Sequence, residues 1–374
     1  RAYPELMRAA EACGAAVVNT MMGLGSFPAD HSLYAWCTGA KGSECGLALT
    51  RSADVILAVG CRFADETACS YRHDVAFAAE GTRIIQLDID PHEIGKNYPV
   101  EVGIVADARA GLAALADALE ALGPRDWREA GYTAEIGRRR DEWLTTLAGC
   151  RDADRDPMDI SSLLRQARQA LPRETLIVHS SGNTQAQMIQ EFPFYEPGTC
   201  ITTGGFSTMG FTLPAALGAK LACPERPVAG VVGDGDFLMH VQELSTAVRY
   251  GIPVVFIVAN NFGWISIRDL QMAAFGEDCR YATDFERQGQ PYSPDLAGIA
   301  RDFGCWSTRI SRADQVGPAI RDALDAGRPA VVEALVARDW PHTGTPAMGW
   351  WDVPIPAYMG HSGDYAQGKL QEGV

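Results

Sequence analysis

The sequence contains no run of about 18 apolar residues, so it offers no transmembrane helix. It is also short of basic charge: 32 Lys and Arg stand against 47 Asp and Glu, for a formal net charge of −15. That balance excludes nucleic acid and anionic membrane as partners, since both reward basic patches. An anionic ligand must then be held by local dipoles, a metal ion or a few Arg. None of the ten Cys lies in a C-x-x-C pair, and the seven His show no H-x-x-x-H spacing, which argues against zinc. In a chain this long the Cys read as mostly buried free thiols of a cytosolic protein, so a cytoplasmic location is expected. No G-x-G-x-x-G follows a first strand, which disfavours a dinucleotide site. There is no signal peptide and no initiator Met before Arg1, so the chain reads as a fragment or a processed form whose N-terminal part is missing. No internal repeat or low-complexity tract occurs.

What is present fits an α/β protein of two doubly wound, Rossmann-like domains with mainly parallel sheets. With 374 residues the chain is too long for one ordinary core. Short apolar runs at 15–20, 55–59 and 83–87 predict buried strands, and an Ala/Leu-rich stretch at 108–122 predicts a closing helix. Residues 1–122 are thus expected to form one unit. Residues 123–157 alternate charges, with Trp127 and Trp143 interleaved, and read as a linker carrying an exposed helix. Pro157 and Asp159 open the next helix, with Ser161 or Ser162 as its cap. In the second unit, 158–340, strands are expected at 176–179, 226–232, 254–258 and 330–334. Helices are expected at 184–191, 214–222, 238–250, 294–303 and 314–326. The tail, 341–374, is rich in Gly, Pro and aromatics and reads as wrapping a neighbouring surface or subunit. His179 and His240 lie near the motifs below and read as structural.

The chemistry concentrates in Val231–Val232–Gly233–Asp234–Gly235–Asp236–Phe237. An apolar strand ends in Gly-Asp-Gly and a helix follows. Glycines at such a turn let backbone N–H groups approach an anion closely. The Asp between them can hold a hard cation beside that anion. About 25 residues later a second apolar strand ends in Asn260–Asn261. Two polar tips then sit at the carboxyl ends of two strands joined by a right-handed crossover, where ligand crevices open. A carboxylate, an amide oxygen, a backbone carbonyl, two phosphate oxygens and a water would complete an octahedron suited to Mg²⁺.

The Gly-Asp-Gly and Asn-Asn pair resembles the signature of thiamine-diphosphate enzymes, and the likeness extends further. Gly204–Gly205–Phe206–Ser207–Thr208–Met209–Gly210–Phe211–Thr212–Leu213–Pro214 is similar to the segment before that signature in the acetolactate synthase group. Ser181–Gly182–Asn183–Thr184 matches the group's diphosphate-contacting turn in position. Residues 20–28 and 88–96 resemble its central domain. The resemblance covers roughly 1–340 and implies a thiamine-diphosphate, Mg²⁺-dependent transferase or lyase. It implies that Asp234 and Asn261 bind the metal, with the Gly263 carbonyl as third ligand. The amides of Gly235 and Asp236, with Gly182, Asn183 and Thr184, would hold the diphosphate in a pocket also drawing on Gly233, Ser207 and Trp264. Met209 would bend the cofactor so that its amino group meets the reactive carbon, a proximity effect. The group's catalytic Glu belongs to an N-terminal pyrimidine-binding domain. No Glu in 1–374 takes that role, and the chain alone is expected to be inactive. The pyrimidine half of the site usually comes from another subunit, implying a homodimer or homotetramer. The group also suggests FAD as a second cofactor, near 39–42, 60–63 and 88–90, with Arg62 and Asp88 as candidates.

Two departures bear on the reaction. Asp236 stands where a small hydroxyl residue is common; its carboxylate is expected to turn away from the phosphate and cap the following helix near Met239. The stretch Phe262–Gly263–Trp264–Ile265–Ser266–Ile267–Arg268 departs from biosynthetic acetolactate synthases and looks more like other decarboxylases and C–C cleaving relatives. Arg268 reads equally as a binder of a substrate carboxylate or a surface helix residue. The leading expectation is decarboxylation of a 2-oxo acid with carboligation. The runner-up is hydrolytic cleavage of a 1,2-diketone, suggested by Trp350–Trp351–Asp352–Val353–Pro354. From another class, a non-catalytic nucleotide-binding or regulatory relative would share the fold without the Mg²⁺–diphosphate site.

Overall fold

The structure is a computed structural model and describes residues 1–72, 74–78, 80–123 and 131–339. The chain divides into two compact units, the first ending at Thr146 and the second starting at Leu147.

In the first unit, α1 (Tyr3–Cys13) starts with Pro4 in its first turn and stops at Gly14 in the left-handed region (φ 63°). Strands β1 (Val17–Asn19) and β2 (Tyr34–Cys37) pair in parallel. Helix α2 (Glu44–Arg51) is capped by Ser43, whose hydroxyl accepts the Gly46 N–H at 3.0 Å. Strands β3 (Val55–Val59), β4 (Arg83–Asp88) and β5 (Val102–Val105) form a parallel three-stranded sheet. Helix α3 (Ala108–Ala121) is capped by Asp107. Alternation along β3 supplies two cores. Ala58 packs with Leu47, Phe63 and Phe77, whereas Leu57 and Val59 pack with Ala9, Leu112 and Ala116 of α1 and α3.

Helix α4 (Tyr132–Gly149) corrects the expectation of an exposed linker helix. Ile136, Trp143 and Leu147 are buried, Trp143 to 2% exposure, because spacings of seven and four place them on one stripe. Its charges pair along the other side, Arg139 with Glu135 at 2.8 Å. Trp127 and the tail from 340, including the Trp350–Pro354 motif, lie outside the described residues.

In the second unit, α5 (Ile160–Ala170) is capped by Asp159, which accepts the Ser162 N–H at 2.6 Å, so neither serine is the cap. There follow β6 (Leu176–His179), α6 (Gly182–Glu191), β7 (Cys200–Thr202), α7 (Thr212–Ala222) and β8 (Val228–Gly233). Next come α8 (Asp234–Met239), α9 (Glu243–Arg249), β9 (Val255–Asn260) and α10 (Ile265–Phe275). A short antiparallel pair, β10 (Glu286–Arg287) and β11 (Gln290–Pro291), precedes α11 (Leu296–Asp302), β12 (Trp306–Ile310), α12 (Ala313–Asp325) and β13 (Ala330–Leu335). Six of these strands form one parallel sheet in the order β12-β13-β9-β8-β6-β7. Val178, Val232, Phe256 and Val258 meet Leu213, Leu217, Phe237, Leu244 and Leu296 on one face.

The single helix expected at 238–250 is two. Helix α8 begins at the Gly-Asp-Gly turn itself, and His240 leaves the helix at φ −133°. The turn lays the His240 ring against Gly210, where a β-carbon would come within 2.2 Å of Nδ1.

Candidate functional site

Strands β7 and β8 flank β6 on opposite sides, so the chain reverses its direction of travel across the sheet there. Ligand crevices in open α/β sheets lie at such switch points, beyond the carboxyl ends of the strands. The loops leaving β6, β8 and β9 carry the motifs read from the sequence.

Asp234 follows β8 directly and is buried. Its Oδ2 accepts the Gly263 N–H at 3.1 Å. Burial pushes its carboxyl up to about 7, against the pull of the backbone N–H groups of Gly235 and Gly263. The Asn261 side chain ends between two acceptors. With its nitrogen inward, it donates to Asp234 Oδ1 at 3.2 Å and to the Gly263 carbonyl at 3.0 Å. With its oxygen inward, a carboxylate, an amide and a backbone oxygen converge with no proton among them, an environment that a hard divalent cation satisfies. No three His, Cys, Asp or Glu side chains gather into a metal site among the described residues. The donor set is therefore one carboxylate with neutral oxygens, the kind Mg²⁺ accepts rather than zinc.

Beside this cluster lies the start of α6. Gly182 sits at φ +81° with open space where a β-carbon would be. Asn183 is buried with neither Oδ1 nor Nδ2 bonded among the described residues. Unpaired buried amides are costly and call for a partner. The Thr184 hydroxyl lies 3.6 Å from the β-carbon position of Gly233, so the first turn of α6 borders the tip of β8. A ten-residue helix without a side-chain cap at its start, next to that oxygen cluster, fits a diphosphate with its metal ion.

Gly235 is close-packed, since a β-carbon there would lie 2.2 Å from the Trp264 Nε1. Trp264 is 37% exposed and meets Phe285 edge-on at 5.4 Å. Met209 is half-buried, and Ser207, in the left-handed region (φ 51°), donates its hydroxyl to Gln185 Oε1 at 2.7 Å. Asp236 does not cap the helix that follows it. Its carboxylate accepts the Gly210 N–H and the Ser180 hydroxyl, because the chain breaks at His240 and the loop before α7 supplies the nearer donors. Arg268 is spent on its neighbours, with Nη2 at 2.9 Å from Asp269 and Nη1 at 3.6 Å from Asp284.

The two asparagines of the doublet diverge. Asn260 is buried and donates to Glu333 Oε1 at 2.8 Å, while its own oxygen accepts the Phe262 N–H at 3.1 Å. Glu333 also accepts from Arg309 Nε at 2.9 Å, from Nη2 at 3.0 Å and from the Ala297 N–H at 2.8 Å. Ser180, Gln185, Asn260 and Glu333 carry no local sequence signal for these roles, because each partner is distant in sequence. His179 is buried at the end of β6, with Nε2 3.4 Å from the Cys200 sulfur.

In the first unit, Asp88 ends β4, buried, and its Oδ1 accepts the Asp90 N–H at 2.9 Å. Arg62 follows Gly60 (φ 59°), and its carbonyl accepts the Asn97 amide at 2.9 Å.

Two family models match: "Thiamine pyrophosphate enzyme, central domain" over residues 1–115 and "Thiamine pyrophosphate enzyme, C-terminal TPP binding domain" over residues 180–334. The acetolactate synthase large subunit of Corynebacterium glutamicum is 34% identical over 353 residues, 91% of this chain and 54% of that protein. A probable acetolactate synthase large subunit of Methanocaldococcus jannaschii is 33% identical over 348 residues, 90% and 55% respectively. The sulfoacetaldehyde acetyltransferase of Castellaniella defragrans is 28% identical over 363 residues, 90% and 58%. The chain thus spans about half the length of the curated relatives it matches.

Proposed function

This chain belongs to the thiamine pyrophosphate enzymes, in the group that holds the acetolactate synthase large subunits, and from that premise we propose that the complete protein makes or breaks a carbon–carbon bond next to a carbonyl. The reaction we favour is decarboxylation of a 2-oxo acid, with the remaining acyl group joined to an acceptor carbonyl. The observation that carries this reading is the convergence of Asp234, Asn261 and the Gly263 carbonyl beside the uncapped start of α6 with its unbonded Asn183 side chain.

Asp234, Asn261 and the Gly263 carbonyl would hold Mg²⁺, and the backbone at Gly182, Asn183, Thr184, Gly235 and Asp236 would hold the diphosphate. When bound, thiamine diphosphate supplies the electron sink that lets a bond beside a carbonyl break or form. The chain's own residues do the rest by position. The buried Asp234 carboxylate would hold the ion, the N–H groups would hold the phosphates, and Met209 would support the cofactor's rings. Trp264, packed on Gly235, closes one wall. Arg268 is already engaged by Asp269 and Asp284, which leaves substrate-carboxylate recognition to other groups.

Calorimetry with thiamine diphosphate, with and without Mg²⁺, tests the site. Tight binding only with the metal supports it; binding indifferent to Mg²⁺ overturns it. A panel of pyruvate, other 2-oxo acids and cyclic diones, assayed on the complete protein, then tests the reaction. Ring opening of a dione without any carboligation product would replace it. A flavin absorbance band in the purified protein decides the role of Arg62 and Asp88.

A further inference from the structure

Resting on that reading of the site, we propose that Asp236 is a positioning residue that fastens segment 203–212 against the start of α6, and so sets the seat of the cofactor's rings rather than of its diphosphate. The Asp236 carboxylate is buried, yet it serves no helix of its own. One oxygen accepts the Gly210 N–H and the other the Ser180 hydroxyl. Ser180 in turn accepts the Thr212 hydroxyl at 2.9 Å, and its carbonyl accepts the Thr203 hydroxyl at 3.4 Å. The Asp236–Ser180 pair is therefore a hub. It joins the loops that leave β6 and β8 to both ends of the segment between β7 and α7.

That segment has little else to hold it. Its own backbone contributes a turn from Ser207 N–H to the Gly204 carbonyl at 3.2 Å. Ser207 adopts φ 51°, a conformation that costs a non-glycine residue energy and persists only where the surroundings impose it. Phe206 is 94% exposed and anchors nothing among the described residues of this chain. Met209 sits between the Ser207–Gln185 bond and the Gly210–Asp236 bond. The tie at Gly210 lies one residue from Met209 and ends on a buried carboxylate. None of these bonds is made by the side chains of Asp234 or Asn261 or by the Gly263 carbonyl, so the cation cluster shares none of the ties.

The test separates rings from diphosphate. Binding of thiamine diphosphate and of inorganic pyrophosphate, each with Mg²⁺, is measured by calorimetry on the complete protein and on its Asp236→Ala variant. Wild-type protein that binds no thiamine diphosphate overturns the functional reading itself. Given wild-type binding, Asp236→Ala should weaken thiamine diphosphate about tenfold and change pyrophosphate by no more than about twofold. Equal losses for both ligands, or no loss for thiamine diphosphate, overturn the proposal. Thr212→Val, which cuts the same hub from its far side, should show the same selective loss with a smaller amplitude. Should Asp236→Ala not fold, the ratio in Thr212→Val decides, and an unselective loss there counts against the hub.

Discussion

At the scale of single residues, buried groups without full compensation set the energetics. Burial raises the Asp234 carboxyl to about 7, so its charged form is disfavoured in the ligand-free protein. Asp234→Asn should therefore raise the melting temperature of the ligand-free protein while weakening Mg²⁺-dependent thiamine diphosphate binding about 100-fold or more. A variant that lost stability and kept affinity would contradict the assigned role. His179 is a second case. Burial pushes it down to about 4 from an unfolded value near 6.5. In that window the unfolded chain binds a proton that the folded chain refuses, so stability is fully present above about 6.5 and falls as pH drops toward 4. The size is about 3 kcal/mol. Urea midpoints at pH 7 and pH 5 should differ less in His179→Gln than in wild type; an unchanged difference would remove His179 from the acid limb.

At the scale of elements, close backbone approaches define what cannot change. Helix α2 rests on the end of β2 through Gly46, where a β-carbon would fall 2.2 Å from the Cys37 carbonyl oxygen. Backbone cannot yield as a flexible side chain does, so Gly46→Ala should destabilise the first unit by about 2 kcal/mol, read from thermal unfolding. The same scale explains what was legible beforehand. Strands β3, β4, β6, β8, β9 and β13 were readable as short apolar runs, as expected of strands in parallel sheets. Strands β5 and β7 were not, because none of their residues is buried, nor was β12, with Arg309 in its middle. The buried strand β2 was missed for another reason: Tyr34–Cys37 follows a loop and is only four residues long. The helix break at His240 depends on Gly210, 30 positions earlier, and no local pattern announces it. Asp234, Asn261 and Gly263 could be named from spacing and resemblance. The destination of the Asp236 carboxylate could not, since Ser180 lies 56 positions away.

At the scale of the whole molecule, both units are α/β with parallel sheets, but only the second carries the three loops of the site. No helix among the described residues is long and apolar enough to cross a membrane. Hydrogen exchange with and without thiamine diphosphate and Mg²⁺ should show added protection at 180–185, 207–212, 234–237 and 260–264, with β3, β4 and β5 unchanged. Protection spread evenly over both units would mean that the ligand binds elsewhere.

The ion pair behind Asn260 has a practical corollary for recognising such chains in genomes. The doublet is two residues with separate employers, one facing the Asp234 carboxylate and the Gly263 carbonyl and one anchored to a carboxylate 73 positions further on. A pattern built from Gly-Asp-Gly and Asn-Asn alone accepts any pair of turns at that interval. Requiring also an acidic residue in the strand beside the doublet, with an arginine opposite it, turns a two-point match into one that only a folded sheet of this strand order can supply.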